Sequence, residues 1–187
     1  MTIFTDQYLQ QIAALLSQPA AIPFALALIS GLFVYHIKQR RRMLAGKAVM
    51  DVCYGIHFWM MQAPAGAYGI MIAVFGGLVQ IVTPDHLMRR TMLYRNIVAA
   101  LLALLGVFLA VQHSTDLLPL IAASTARFVE THSQPQRIRA GMALTLLLWI
   151  AYAAYNNLIL MVIASVTLLL STLLALYRHR AKKSSAA

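Results

Sequence analysis

The sequence predicts an all-α polytopic membrane protein with seven transmembrane helices. Three observations carry that prediction. Of 187 residues, 61% are hydrophobic and only 11% charged, with a mean hydropathy of +0.74, whereas a soluble domain carries about 25% charged residues. The apolar residues form long runs separated by short polar knots. All fifteen Lys and Arg residues fall where a seven-span chain keeps them on one side of a bilayer. The formal net charge of +10 therefore reads as an orientation signal. It implies no nucleic-acid partner, because the cations cap apolar runs and are not interleaved with a soluble fold.

The runs cover 14–36, 44–61, 64–83, 93–112, 115–131, 140–156 and 157–177. A helix needs about 20 residues to cross about 30 Å of hydrocarbon, with about 17 as the lower limit. The second, fifth and sixth runs lie near that limit. Residues 1–13 read as a short amphipathic segment on the outer surface. Pro19 and Pro23 sit near the start of the first helix, where proline is tolerated. The second and third runs are nearly continuous, so Pro64 marks a tight hairpin; Asn156-Asn157 marks another between the sixth and seventh. Residues 178–187 read as a basic tail whose KKSSAA end is disordered.

The cations fix the orientation. Lys38, Arg40, Arg41, Arg42 and Lys47 flank the first connection; Arg89, Arg90 and Arg95 the third. Arg127, Arg137 and Arg139 flank the fifth, and Arg178, Arg180, Lys182 and Lys183 follow the last run. Six or eight spans would scatter them over both sides. The reading is a polytopic membrane protein with its N-terminus outside and its C-terminus cytoplasmic. Arg40-Arg41-Arg42 reads as an anchor to anionic lipid. The N-terminus lacks the basic start of a typical signal peptide. Cys53, the single cysteine, forms no internal disulfide and reads as a small buried hydrophobe.

An internal repeat runs through this pattern. RMLAG (Arg42–Gly46) and RIRAG (Arg137–Gly141) stand 95 residues apart and open the second and sixth helices. The same offset pairs Tyr54 with Trp149, His57 with Tyr152 and Gln62 with Asn157, and brings Pro23 within one residue of Pro119. Residues 14–83 and 115–177 thus read as two copies of a three-helix unit, with 93–112 as a linking helix (3+1+3). A single linking helix restores the orientation, so the copies run parallel about an axis along the membrane normal, as in SWEET-type transporters.

The basic knot followed by His57-Phe58 and PAGA (Pro64–Ala67), with LLP (Leu117–Pro119) and Trp149, resembles the YgjV-type bacterial inner-membrane protein family. The resemblance covers about Leu16 to His179 and implies an architecture like that of the SWEET and PQ-loop group. Neither Pro23 nor Pro119 is followed by Gln or Asn, so the resemblance implies no sugar substrate.

Candidate chemistry lies on two helix faces. Thr145, Trp149, Tyr152 and Asn156 are spaced i, i+4, i+7, i+11 and fall within about 60° of one another. The offset gives Met50, Tyr54, His57 and Met61 on the equivalent face of the second helix. Two aromatic-polar seams facing one central cavity suit a neutral or cationic small solute. The expected solute-binding residues are Tyr54, His57, Trp149, Tyr152 and Asn156. The alternative for each is packing, with polar tips bonded to a neighbouring helix. Trp59 and Tyr155 fit an aromatic belt better.

Asp51 and His57 are the protonatable groups at membrane depth, about 12 Å and 21 Å into the hydrocarbon by helical rise. Asp51 is either a proton site or solute ligand, or a partner for Lys47 one turn back. Enzyme chemistry is not expected. The histidines are scattered, which excludes a metal site and leaves no cofactor to hold. No phosphate loop or nucleophile elbow occurs, and Gly76-Gly77 reads as a close-packing point. The sequence reading is a small-solute transporter or facilitator in the lipid bilayer, open to homo-oligomerisation, its solute small, polar and unidentified. A non-transporting scaffold or partner subunit of the same architecture is the alternative.

Overall fold

Helix breakers and polar knots divide the described residues into seven α-helices. They are α1 (Ala21–Val34), α2 (Arg40–Met60), α3 (Pro64–Val82), α4 (Met92–Ala110), α5 (Leu117–Glu130), α6 (Pro135–Tyr155) and α7 (Ile159–Ser184). This computed structural model describes residue 14 and residues 17–84, 86–88 and 90–184, with side chains as far as 179 except at 110. The expected outer-surface segment over 1–13 lies outside the described residues.

Several helices begin or end further out than the apolar runs. α2 starts at Arg40 and α6 at Pro135. α7 continues through Lys182 and Lys183 to Ser184, so the basic tail is helical that far, and the rest of the expected disordered end, 185–187, lies outside the described residues. Arg and Lys are good helix formers, and intrahelical hydrogen bonding does not stop where the hydrocarbon does. Among the described residues, four helical stretches are long and apolar enough to cross a membrane: 64–82, 92–109, 135–155 and 159–179. α2 has the length, with 21 residues, but its hydropathy is lowered by Arg40–Arg42, Lys47 and Asp51. α1 and α5 have 14 residues each, about 21 Å of helix.

The two hairpin turns share one geometry. Gln62 (φ 53°) and Asn157 (φ 54°) are the positive-φ non-glycine residues among those described. In each, a Schellman arrangement closes the helix. Ala63 N–H donates to Phe58 O at 3.0 Å, and Leu158 N–H to Ala153 O at 2.8 Å. Pro64 then opens α3, where its missing N–H costs nothing. The connection before α5 is different: a 3-10 turn (Ser114–Asp116) in which Asp116 Oδ2 accepts from Gln112 N and His113 N at 3.0 and 2.9 Å.

Six helices close a ring. α1 packs on α2, α2 on α3, α3 on α5, α5 on α6, α6 on α7 and α7 back on α1. α4 lies outside it, against α3 and α5, with only 6% of its span buried. Leu101, Leu104, Leu105 and Phe108 of α4 are exposed, as are Ile22, Phe33, Phe75 and Leu170 elsewhere on the exterior. An apolar outer surface of this extent matches lipid as the solvent. The largest apolar core joins α1, α2, α3, α6 and α7 around Phe24, Met50, Tyr54, Phe58, Leu146 and Leu168.

Candidate functional site

The ring encloses a cavity of about 50 Å³ at its centre. One water needs about 10–15 Å³ of such space, so there is room for a few waters and not for a large solute. Met50 and Tyr54 of α2 and Thr145 and Trp149 of α6 line it, with Ser165 of α7 and Tyr35 after α1. The two seams therefore meet across one space at these four positions. Of the expected residues, Tyr54 and Trp149 line the cavity, and Asp51 lies at its wall beside Lys47.

The other three stand elsewhere. His57 Nδ1 donates to the Ala20 carbonyl at 2.9 Å, and its ring lies 5.1 Å from that of Phe24. It ties the last turn of α2 to the start of α1. Tyr152 is buried behind Trp149, edge-on to it with centroids 5.9 Å apart. Asn156 is exposed and its amide donates to Tyr152 O at 2.9 Å, capping α6. Trp59 and Tyr155 are 76% and 71% exposed, as an aromatic belt requires.

The cavity ends differently at its two poles. Toward the turn at 62 and 157, Phe58 of α2 stacks on Trp149 of α6, with centroids 5.6 Å apart at 24°. At the opposite pole lies a buried charge network. Lys47 Nζ is 2.5 Å from Asp51 Oδ2 and 3.3 Å from Glu130 Oε1. Arg127 Nη1 and Nη2 approach the two Glu130 oxygens at 2.5 and 2.6 Å. Lys47 and Asp51 belong to α2, Arg127 and Glu130 to α5, so the ion pairs join two helices that are not neighbours in the ring.

Further polar ties close the same pole. Arg40 of α2 donates to the Glu130 and His132 carbonyls at 2.9 and 3.0 Å. Arg139 of α6, 2% exposed, donates from Nε to Tyr35 O at 2.6 Å and from Nη2 to Ile37 O at 2.8 Å. A buried arginine survives desolvation only when its donors are met in this way. Sequence reading counts Arg127 and Arg139 with the loop cations and passes over Glu130. The spacing of Arg127 and Glu130, i and i+3 at the end of a helix, is the signal that marks them as a pair. Gly76 has a specific task here: a Cβ on it would overlap the Arg127 stem.

Among the described residues no group of three or more His, Cys, Asp or Glu side chains is placed to hold a metal ion. No curated protein and no solved structure matches the chain. Residues 20–183 match the family model Imp-YgjV, described as bacterial inner membrane protein. An apolar exterior, membrane-length helices and a match over most of the chain agree, and the protein belongs to the Imp-YgjV family of bacterial inner membrane proteins.

Proposed function

We propose that this protein is a small-solute transporter or facilitator whose central cavity alternates between the two sides of the membrane. The observation that carries the reading is the cavity itself. It lies between the two expected seams, closed at one pole by an aromatic stack and at the other by ion pairs. Aromatic faces with nearby hydroxyls suit a neutral or cationic solute. Release of Lys47 from Glu130 would open the ionic pole; parting of Phe58 and Trp149 would open the other. In this reading the ionic pole faces the cytoplasm, since the basic connections gather there.

Two three-helix units would supply the moving parts. In support, α2 and α6 start and end 95 residues apart, as do the starts of α3 and α7, and α1 and α5 are offset by 96 at both ends. The α3–α5 contact has a mate in α7–α1, as a two-fold axis between parallel units requires. A non-transporting scaffold or partner subunit is the second reading, favoured by the small volume of the cavity.

Cysteine accessibility separates them without knowledge of the solute. Cys53→Ser removes the only cysteine, and Ser165→Cys places one on the cavity wall. In membrane vesicles of each orientation a membrane-impermeant maleimide should label that position from both sides. A position closed to both sides over hours would identify a packed scaffold.

A further inference from the structure

Outside the ring, α3, α4 and α5 enclose a second cavity of about 60 Å³, room for a group of several heavy atoms. Two guanidinium groups reach it. Arg127 is 1% exposed; its terminal nitrogens face Glu130, and its Nε is buried without a partner. Arg95, in the first turn of α4, donates from Nη1 to Gln80 Oε1 and from Nη2 to Met88 O at 2.5 Å. Its Nε is likewise buried and unmet. Buried donors are nearly always paired in native proteins, and an orphan asks for an unseen acceptor. Arg127 Nη1 also lacks a hydrogen bond but is ion-paired to Glu130; the two Nε donors, met by neither, sit on cationic groups at one cavity and ask for an oxyanion.

The walls say what carries the oxyanion. Ile72, Phe75, Val79, Val98 and Leu102 line the cavity, and Phe75, Val79 and Val98 are exposed on the outer surface of the bundle. The cavity thus opens sideways between α3 and α4, toward lipid. Gln80 ends α3 and Arg95 begins α4, so the charged floor lies at the level of one helix end, where headgroup phosphates sit. Basic pockets between helices at that level take anionic headgroups.

We propose that this cavity binds the phosphate of an anionic phospholipid, its oxygens accepting from Arg95 and Arg127 Nε and its acyl chains lying along Phe75 and Val98. The site stands whether or not a solute crosses the ring. Because Arg127 also holds Glu130, the lipid would share an arginine with the ion pairs at the central cavity.

The test is native mass spectrometry and thermal melting of the full chain in dodecyl maltoside, with phosphatidylglycerol, phosphatidylcholine or inorganic phosphate added. Phosphatidylglycerol should bind and raise the melting temperature, with phosphatidylcholine much weaker. Arg95→Gln, which removes one donor, and Ala99→Leu, which fills the cavity from α4 and keeps both guanidiniums, should each weaken that binding about tenfold. Protection by inorganic phosphate that both variants abolish would support the oxyanion site and reassign its carrier to a free anion. Equal binding of phosphatidylglycerol by wild type and both variants, or none by wild type, would overturn the proposal.

Discussion

Glu130 is the residue on which the buried charges depend. It is 0% exposed and is shared by Arg127 and Lys47. Removing one partner of a buried ion pair leaves the other uncompensated, at a cost of about 3–5 kcal/mol. Glu130→Gln should lower unfolding stability in detergent by that much, whereas Arg137→Gln on the exposed side of α6 should stay within about 0.5 kcal/mol. Equal losses would mean that Arg127 and Lys47 find other partners. His36, in the α1–α2 connection, gives a pH signature. Its Nε2 lies 3.2 Å from Ser171 Oγ, and burial, then the Arg178 and Arg139 charges, lower its pKa from 6.5. The folded state disfavours the charged ring. The stabilisation is therefore fully present above the unfolded value and is lost as pH falls through the lowered folded value. Melts from about pH 8 down to about pH 5 should show a loss in wild type that is smaller in His36→Gln; parallel curves would exclude His36 as its source. At this scale the sequence discloses some pairs and hides others. Lys47 and Asp51 are legible because i, i+4 charges inside an apolar run have few alternatives. Arg139 is not, because its acceptors are the carbonyls of Tyr35 and Ile37, over a hundred residues away.

Among the elements, the phrase shared by RMLAG and RIRAG acquires a physical reason. A Cβ on Gly46 would come 2.8 Å from Val34 Cγ2, and one on Gly141 would overlap Val129. Each glycine receives a valine from the preceding helix, and the two valines are again 95 residues apart. Close approach of α1 to α2 and of α5 to α6 rests on that absence of a side chain. Gly141→Ala should destabilise by about 1–3 kcal/mol through overpacking, and Val129→Ala in the same chain should recover part of the loss in a double-mutant cycle. A strictly additive cycle would show that the pair is not in contact. The hairpins are legible for a related reason: Pro64 and Asn156-Asn157 are turn chemistry with no other use inside an apolar run. Helix starts are less so, since hydropathy marks where lipid ends and α2 and α6 continue beyond that boundary. Cavity lining divides in the same way. Periodicity puts Tyr54, His57, Trp149 and Tyr152 on two seams, but a seam is wider than a cavity. Ala20, just before α1, and Phe24 within it claim His57, and Tyr152 packs edge-on against the ring of Trp149.

For the whole molecule, the question is how many of the seven helices cross the bilayer. Length and hydropathy alone license four among the described residues, yet α1, α2 and α5 pack side by side with three of them, α3, α6 and α7, in one ring. Polar ties gather the α1–α2 connection, the start of α6 and α7 from Ser171 to His179 at one pole. A helix of 14 residues such as α1 or α5 is about 21 Å long, short of about 30 Å of hydrocarbon, and can cross only where the bilayer thins or flanking residues extend the span. α2 carries Lys47 and Asp51 near midspan, but their mutual pair and Glu130 remove most of the cost of inserting them. If all seven cross, every connection that carries Lys or Arg lies on one side and the turns at Gln62 and Asn157 lie together on the other. Reporter fusions after Gln62 and Asn157 should then read as periplasmic, and fusions after Lys38, Arg90, Gln134 and Ala187 as cytoplasmic. Should α1 or α5 lie in the interface without crossing, the connections on its two sides would report the same compartment. The two three-helix units could not then run parallel, and the alternating cavity between them would lose its basis.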